Sequence, residues 1–508
     1  MTHRILVTGA RPVAALGARV GEEPVDLLIE GGRITRVAPG LRVPGAEVID
    51  AGGAFAIPGL WDGHVHMSQW AAVHRRIDLA DTSGPEDVLA RVAEHLASEG
   101  EGGDRATLVE GFGWRLAGWS RLPGTAALDG VCGDRPVVLI SGDCHGGWLS
   151  SAAYRALGVP VREGHVDEDD WFELWARLDE IPQDEDAISG SMRRAMTGAA
   201  AKGVIGLVDF EISDGRLEWP ARVARGLDLL RVRTAVYTPE LDGALAAGVR
   251  TGDVLDELGL ITMGPLKVIS DGSLNTRTAY CCDPFVSEDD LAEPRGKSNI
   301  APEELAPLLR RAQDAGLEVA VHAIGDAALA DALTAIESSG ARGSIEHVQL
   351  ARPAEVSRMA ALGLVASVQP AHLLDDREIS EALWSDRLER CFPFGELRDA
   401  GITLRLGSDA PVAPLDPWLA MAAAVHRSAD QRPPWSPAHA LTPAQALLAS
   451  TDGQRLRPGD RGDVVLLDGD PFADIDISDA AATADVAARL SETRVQATVL
   501  DGRITFGG

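Results

Sequence analysis

Ile57-Pro58-Gly59-Leu60-Trp61-Asp62-Gly63-His64-Val65-His66 is an apolar, strand-like run that closes on two histidines spaced i, i+2. Side chains two apart on a strand share a face, so both imidazoles can reach one cation at the strand's C-terminal end. Alone, the pair has a plainer reading, because strand histidines are commonly hydrogen-bonded structural residues. The chain beyond His66 decides between the two.

Apolar runs with polar ends recur at Val208-Asp209, Val236-Tyr237, Val268-Ile269, Val321-His322, Glu346-His347, Ser367-Val368-Gln369 and Gly407-Ser408-Asp409. With His64 and His66 these make eight strand ends separated by amphipathic helical stretches, the pattern of an α/β fold in which eight parallel strands close into a (β/α)8 TIM barrel. The expected barrel spans residues 57–450. It carries an insertion at about residues 68–200, with its own strand candidates at Ala106–Glu110 and Pro136–Ile140, which could roof the barrel mouth. The two ends share another texture, of short alternating runs broken by glycine turns: Arg4–Thr8, Val25–Ile34 and Glu47–Asp50 at the start, Gly462–Asp468 and Val495–Thr505 at the close. Neither end can bury a core alone, so residues 1–56 and 451–508 are expected to pair in one small β-sandwich domain.

The 508 residues carry 77 acidic and 47 basic side chains, a formal charge of −30, which argues against nucleic acid or an anionic membrane as partner. The five cysteines, Cys132, Cys144, Cys281, Cys282 and Cys391, have no framework spacing, Met1–Thr8 lacks the pattern of a signal peptide so none is expected, and no apolar run reaches membrane length. A cytoplasmic protein with reduced thiols is expected, acting on a small molecule; self-association into a homo-oligomer stays open. Lysine occurs only at 202, 267 and 297. In a chain that otherwise uses arginine, a lysine on a strand calls for a reason.

The strand ends bring together His64 and His66 (strand one), Lys267 (four), His322 (five), His347 (six) and Asp409 (eight). Imidazole and carboxylate suit Zn²⁺ and related divalent ions, and a catalytic site keeps a position open for water. Each residue has a bland alternative: Lys267 as an ammonium paired with Asp271, His322 and His347 as structural residues, Asp409 as a helix cap. Their convergence on one face favours a metal centre.

These segments, Pro58–His66, Leu266–Leu274, Val321–Asp326, Ile345–His347 and Leu406–Pro411, resemble the amidohydrolase superfamily, and within it the YtcJ-like metal-dependent hydrolases that include N-substituted formamide deformylase. The resemblance covers nearly the whole chain. It implies two metal ions, expected to be zinc, bridged by an N6-carboxylated Lys267, with His64, His66 and Asp409 on one ion and His322 and His347 on the other; some relatives use a single metal. A carbamate supplies anionic oxygens that an ammonium lacks and a guanidinium cannot form. The implied reaction is hydrolysis of a C–N bond in a small N-substituted amide or formamide by a metal-activated hydroxide, with Asp409 accepting and returning the proton.

Around the metals, His145 is a candidate for the substrate carbonyl or its oxyanion, Trp148 for an apolar wall and His372 for substrate orientation, while Asp271, Ser273 and Thr278 are expected to fix the loop after Lys267. Cys144 is not required as a ligand. The acidic runs Asp167–Asp170 and Asp184–Asp186 lack the spacing of a calcium loop, and no phosphate loop or nucleophile elbow is present. Two competitors stand beside this reading. One is a deaminase or cyclic amidohydrolase on the same scaffold, against which Lys267 weighs; the other is a non-catalytic regulatory protein that retains the fold.

Overall fold

A computed structural model of the chain describes residues 4–13, 23–98, 106–114, 119, 124–142, 146–175, 177–286, 293–429, 432–473 and 483–507. It divides into two compact units, one formed by Met1–Met67 with Met196–Gly508 and the other by Ser68–Ala195.

The first unit contains the expected parallel barrel sheet. Its strands are β1 (Leu60–Val65), β2 (Val204–Asp209), β3 (Arg231–Val236), β4 (Ile261–Ile269), β5 (Val319–Ala323), β6 (Gly343–His347), β7 (Val365–Val368) and β8 (Thr403–Leu406), hydrogen-bonded in sequence order. All seven pairings along this path are parallel, and a parallel bridge between Val65 and Ala410 brings the last strand back toward the first. Every strand end picked out in the sequence lies at the end of one of these strands. Parallel strands covered by helices are buried on both faces, and the apolar runs follow from that. Inside the barrel, Val208, Phe210, Ala235 and Ala320 form an apolar plug. Register sets the level of the site: Ile269 pairs with His322, and Ala323 with His347.

Strands from both chain ends join in a second eight-stranded sheet. Its order is Arg503–Gly507, Val495–Leu500, Val464–Leu467, Phe55–Pro58, Arg4–Pro12, Val25–Glu30 and Arg33–Ala38, with Glu47–Asp50 paired beside Arg4–Pro12. Ile5, Val7, Leu27, Ile29, Val464 and Val499 supply its buried apolar face. A bidentate ion pair ties it to the barrel: Arg231 on β3 donates to both oxygens of Asp463, at 3.0 and 3.1 Å.

The second unit, within the expected insertion, has a five-stranded sheet in the order His165–Asp167, Gly146–Leu149, Val137–Ser141, Val109–Trp114 and Ile77–Asp78. The strand expected at Ala106–Glu110 is displaced toward the C-terminus, to Val109–Trp114, where it pairs in parallel with Val137–Ser141 from Val109 onward. Among the described residues, no helix is long and apolar enough to cross a membrane.

Candidate metal centre

The six residues singled out at the strand ends converge. His64 Nε2 lies 3.3 Å from Lys267 Nζ and 3.5 Å from Asp409 Oδ1, and His66 Nε2 is 3.3 Å from that same oxygen. The His347 ring stands 5.0 Å from that of His64 and 4.3 Å from that of His322, centroid to centroid. His372, at the start of α1 (His372–Leu383), has its Nε2 3.8 Å from Asp409 Oδ2.

Local backbone makes this convergence possible. Adjacent strand residues ordinarily face opposite ways, yet Glu346 and His347 both reach toward His64; His347 stands at φ 75, where the chain leaves strand geometry. Asp409, at φ 59, is turned in the same manner, and its amide donates to His64 O at 2.7 Å. Asp62 locks the two ends of the barrel seam: its Oδ1 accepts from the amides of His64 at 3.1 Å and Ser408 at 2.9 Å.

The electrostatics keep the site ready for cations. Burial lowers His64 to about 4 and His322 to about 3, helped in each case by the charge of Lys267, and holds His347 well below its ordinary value, so all three imidazoles are neutral at pH 7. Burial alone would raise Asp409; the electrostatic pull of the surrounding imidazoles, His64 first, and the His66 hydrogen bond outweigh it and hold the carboxyl well below its usual range. Burial brings Lys267 down to about 8. Its Nζ sits 4.1 Å above the Phe210 ring, and among the described residues no carboxylate forms an ion pair with it.

Whether these residues fit a metal is decided by their orphaned atoms. His64 Nδ1 is bound to Glu346 Oε2 at 2.8 Å, which leaves Nε2 with its lone pair toward Lys267 and Asp409. His66 Nδ1, His322 Nε2 and His347 Nδ1 are buried without a hydrogen-bond partner. Each such atom costs about 1–3 kcal/mol unless something binds it. Ligand atoms of His64, His66 and Asp409 lie within 4.8 Å of one another, as do those of His347, His372 and Asp409. The donor set fits divalent cations.

The plainer roles of Lys267 and Asp409 do not hold. Lys267 is not paired with Asp271, whose oxygens accept from the amides of Tyr280, Gly325 and Ile324 at 2.9, 2.8 and 3.1 Å. Asp271 thereby fixes the loop after β4, joined by Ser273 O, which accepts from the Thr278 amide at 3.0 Å. Asp409 caps no helix; the helix Pro417–His426 is capped by Asp416. His145 and Cys144 lie outside the described residues. Trp148 is fully buried in the apolar core of the second unit with Trp114, Leu139 and Val92, so its surface is taken up by packing. Sequence reasoning passed over Glu346 and Asp62. Glu346 had a visible signal, an acidic residue inside an apolar strand next to a histidine.

Residues 47–506 match the model of the amidohydrolase family. The chain belongs to this family. Among curated relatives it is similar to protein LONG AFTER FAR-RED 3 of Arabidopsis thaliana (28% identical, 84% of this chain and 79% of that one), the putative amidohydrolase YtcJ of Bacillus subtilis (26%, 95% and 94%) and the N-substituted formamide deformylase of Arthrobacter pascens (24%, 88% and 90%). Among solved structures, an uncharacterized metal-dependent hydrolase from Pyrococcus horikoshii superposes with a TM-score of 0.80 at 23% identity, over 92% of this chain and 98% of that one. The fold of this amidohydrolase is thus shared over nearly its whole length.

Proposed function

We propose that this amidohydrolase cleaves the C–N bond of a small N-substituted amide or formamide. The site would hold two divalent cations, zinc by the donor set, with His64, His66 and Asp409 on one, His322 and His347 on the other, and an N6-carboxylated Lys267 between them. The carrying observation is Lys267: it is 2% exposed, 3.3 Å from an imidazole nitrogen, and without an ion-pair partner among the described residues. A bare ammonium in that place is electrostatically unfavourable. The neutral amine can add to CO₂: its nitrogen lone pair forms the N–C bond, one C=O π bond opens onto oxygen, and one nitrogen proton passes to solvent water. The product is an anion suited to bridging cations.

Bound divalent ions supply Lewis acidity to an amide carbonyl and lower the pKa of water. The chain's own groups do the rest. Asp409, ionised at neutral pH, accepts the proton of the attacking water at a carboxylate oxygen and returns it to the departing nitrogen. Glu346 holds the His64 ring by Nδ1, which keeps Nε2 directed inward. His145 remains our candidate for the substrate carbonyl. The sheet built from both termini would act as the small β-sandwich domain, and the setting would be a cytoplasm, with no nucleic acid or membrane partner.

The test is metal content per chain, on protein made with bicarbonate and without chelator, followed by a panel of linear amides, N-formyl amines, hydantoins and aminated heterocycles. About two ions per chain and amine release from the linear compounds support the proposal. One ion with ammonia release from a ring would turn it to a deaminase, and no metal with no turnover to a non-catalytic protein.

A further inference from the structure

His372 stands where a ligand to the second cation could stand. Its nearest ring nitrogen lies with donor atoms of His347 and Asp409 inside 4.8 Å, and the two rings are stacked at 6.2 Å between centroids. Distance alone cannot tell whether Nε2 presents a lone pair or a hydrogen. The groups behind the ring can.

His372 and Asp376 are four residues apart on α1, hence on one face of the helix, and both are buried. Asp376 Oδ1 accepts from Asn275 Nδ2 at 2.8 Å, and Asp376 Oδ2 accepts from Gln349 Nε2 at 3.2 Å. Two amide groups donating to two oxygens is the pattern of a carboxylate. It also fixes the Gln349 amide: the reverse orientation would set Oε1 against Asp376. The same Gln349 Nε2 lies 3.5 Å from His372 Nδ1. A group that only donates meets Nδ1, so Nδ1 must accept. In a neutral imidazole the proton then sits on Nε2, and this Nε2–H is buried without a hydrogen-bond partner, 3.8 Å from Asp409 Oδ2.

We infer that Asn275, Asp376 and Gln349 are positioning residues that hold His372 as an Nε2–H donor beside Asp409, so that His372 hydrogen-bonds the carbonyl oxygen of the substrate and is not a metal ligand. This rests on the hydrolase reading and supplies it with a donor for the oxygen that gains charge as the carbonyl is attacked. The unmatched Nε2–H is filled only when substrate binds.

The experiment uses the full-length zinc-loaded protein with His64→Ala as reference. Zinc content and zinc affinity against a chelator are measured for His372→Ala, His372→Asn and Gln349→Leu, and the ring tautomer is read by nitrogen NMR of histidine-labelled protein, with His372 assigned by its loss in His372→Asn. The expected result is zinc affinity within about twofold of the parent in all three, against a loss of about 10-fold or more in His64→Ala, with an Nε2–H signal for His372 that Gln349→Leu displaces. A zinc loss in both His372 variants comparable to that of His64→Ala makes His372 a ligand and overturns the inference while sparing the hydrolase reading. A tautomer indifferent to Gln349→Leu overturns the relay. A parent protein that retains no zinc overturns the hydrolase reading first and the inference with it.

Discussion

Glu346 Oε2 lies 2.8 Å from His64 Nδ1, and both side chains are at most 1% exposed. The pair is a buried carboxylate and a neutral imidazole N–H: burial alone would raise Glu346, but the hydrogen bond from His64, with the Lys267 charge and the Ser344 hydroxyl, outweighs it and holds it at about 2, while His64 is itself held at about 4. Ser344 Oγ donates to the other oxygen of Glu346 and so fixes its rotation. Removing the acceptor in Glu346→Ala should strand the Nδ1–H and free the ring to turn. Zinc affinity measured by chelator competition should fall about 10- to 100-fold. Glu346→Gln, which keeps an acceptor oxygen, should fall less; equal losses in the two would mean that the carboxylate's charge, and not its geometry, matters.

Lys267 gives a pH-dependent expectation. Burial depresses it from 10.5 to about 8, and only the neutral amine adds to CO₂. The neutral fraction is about a tenth at pH 7, about half at pH 8 and about nine-tenths at pH 9. At fixed dissolved CO₂, the rate at which metal-free protein regains zinc and activity should therefore rise through this window and level above it. Because burial holds His64 and His322 at about 4 and 3, neither titrates there. A flat rate between pH 7 and 9 would count against carboxylation of Lys267.

The barrel was legible because each parallel strand is a continuous apolar run ending in a polar residue, so the eight ends could be read one by one from His64 to Asp409. The same reading found the converging donors. It could not find what sits behind them. Asp376 and Gln349 lie on different elements and act only through a contact between α1 and the end of β6, which no local pattern encodes. Glu346 escaped for another reason: strand alternation points it away from His347, and only the left-handed φ of His347 turns both inward. Trp148, expected as an apolar wall from its resemblance to the family segment after Asp143, packs within the apolar core of the second unit, a contact that the segment alone does not encode.

Asp452 should govern acid stability at a distance from the metal site. It accepts from Arg233 at 2.9 and 2.6 Å and from Arg461 at 2.9 Å, and both guanidinium groups lie over the Trp61 ring, at 4.2 and 5.0 Å. Burial would raise its pKa, and the two arginines more than offset this, leaving it below 3.8. A depressed carboxyl contributes stability that is complete above its unfolded pKa and is lost as pH falls through the folded one. Asp452→Asn should lower the unfolding free energy at pH 7 by about 1–3 kcal/mol, less than the ~3–5 of a fully buried pair because Arg233 remains 29% exposed. The difference from the parent should shrink below about pH 4, as seen in denaturant titrations across pH.

Gly407 should prove intolerant of even one methyl group. A Cβ there would stand 2.7 Å from His64 N, 3.0 Å from His64 Cβ and 3.1 Å from Asp62 Oδ1. The two nearest belong to the His64 backbone and its Cβ, and Asp62 Oδ1 is held by the amides of His64 and Ser408, so β1 itself would have to move, and with it the His64 ring. Gly407→Ala is expected to cost about 1–3 kcal/mol of stability and to weaken zinc binding together with it. Gly198 is the control: it lies inside the helix Glu185–Ala201 with nothing within 4 Å of its would-be Cβ. Gly198→Ala should raise stability by about 0.5–1 kcal/mol and leave zinc affinity unchanged. Thermal unfolding and chelator competition on the two variants separate them, since the same substitution then acts with opposite sign on stability and touches the metal only where the backbone of β1 is displaced.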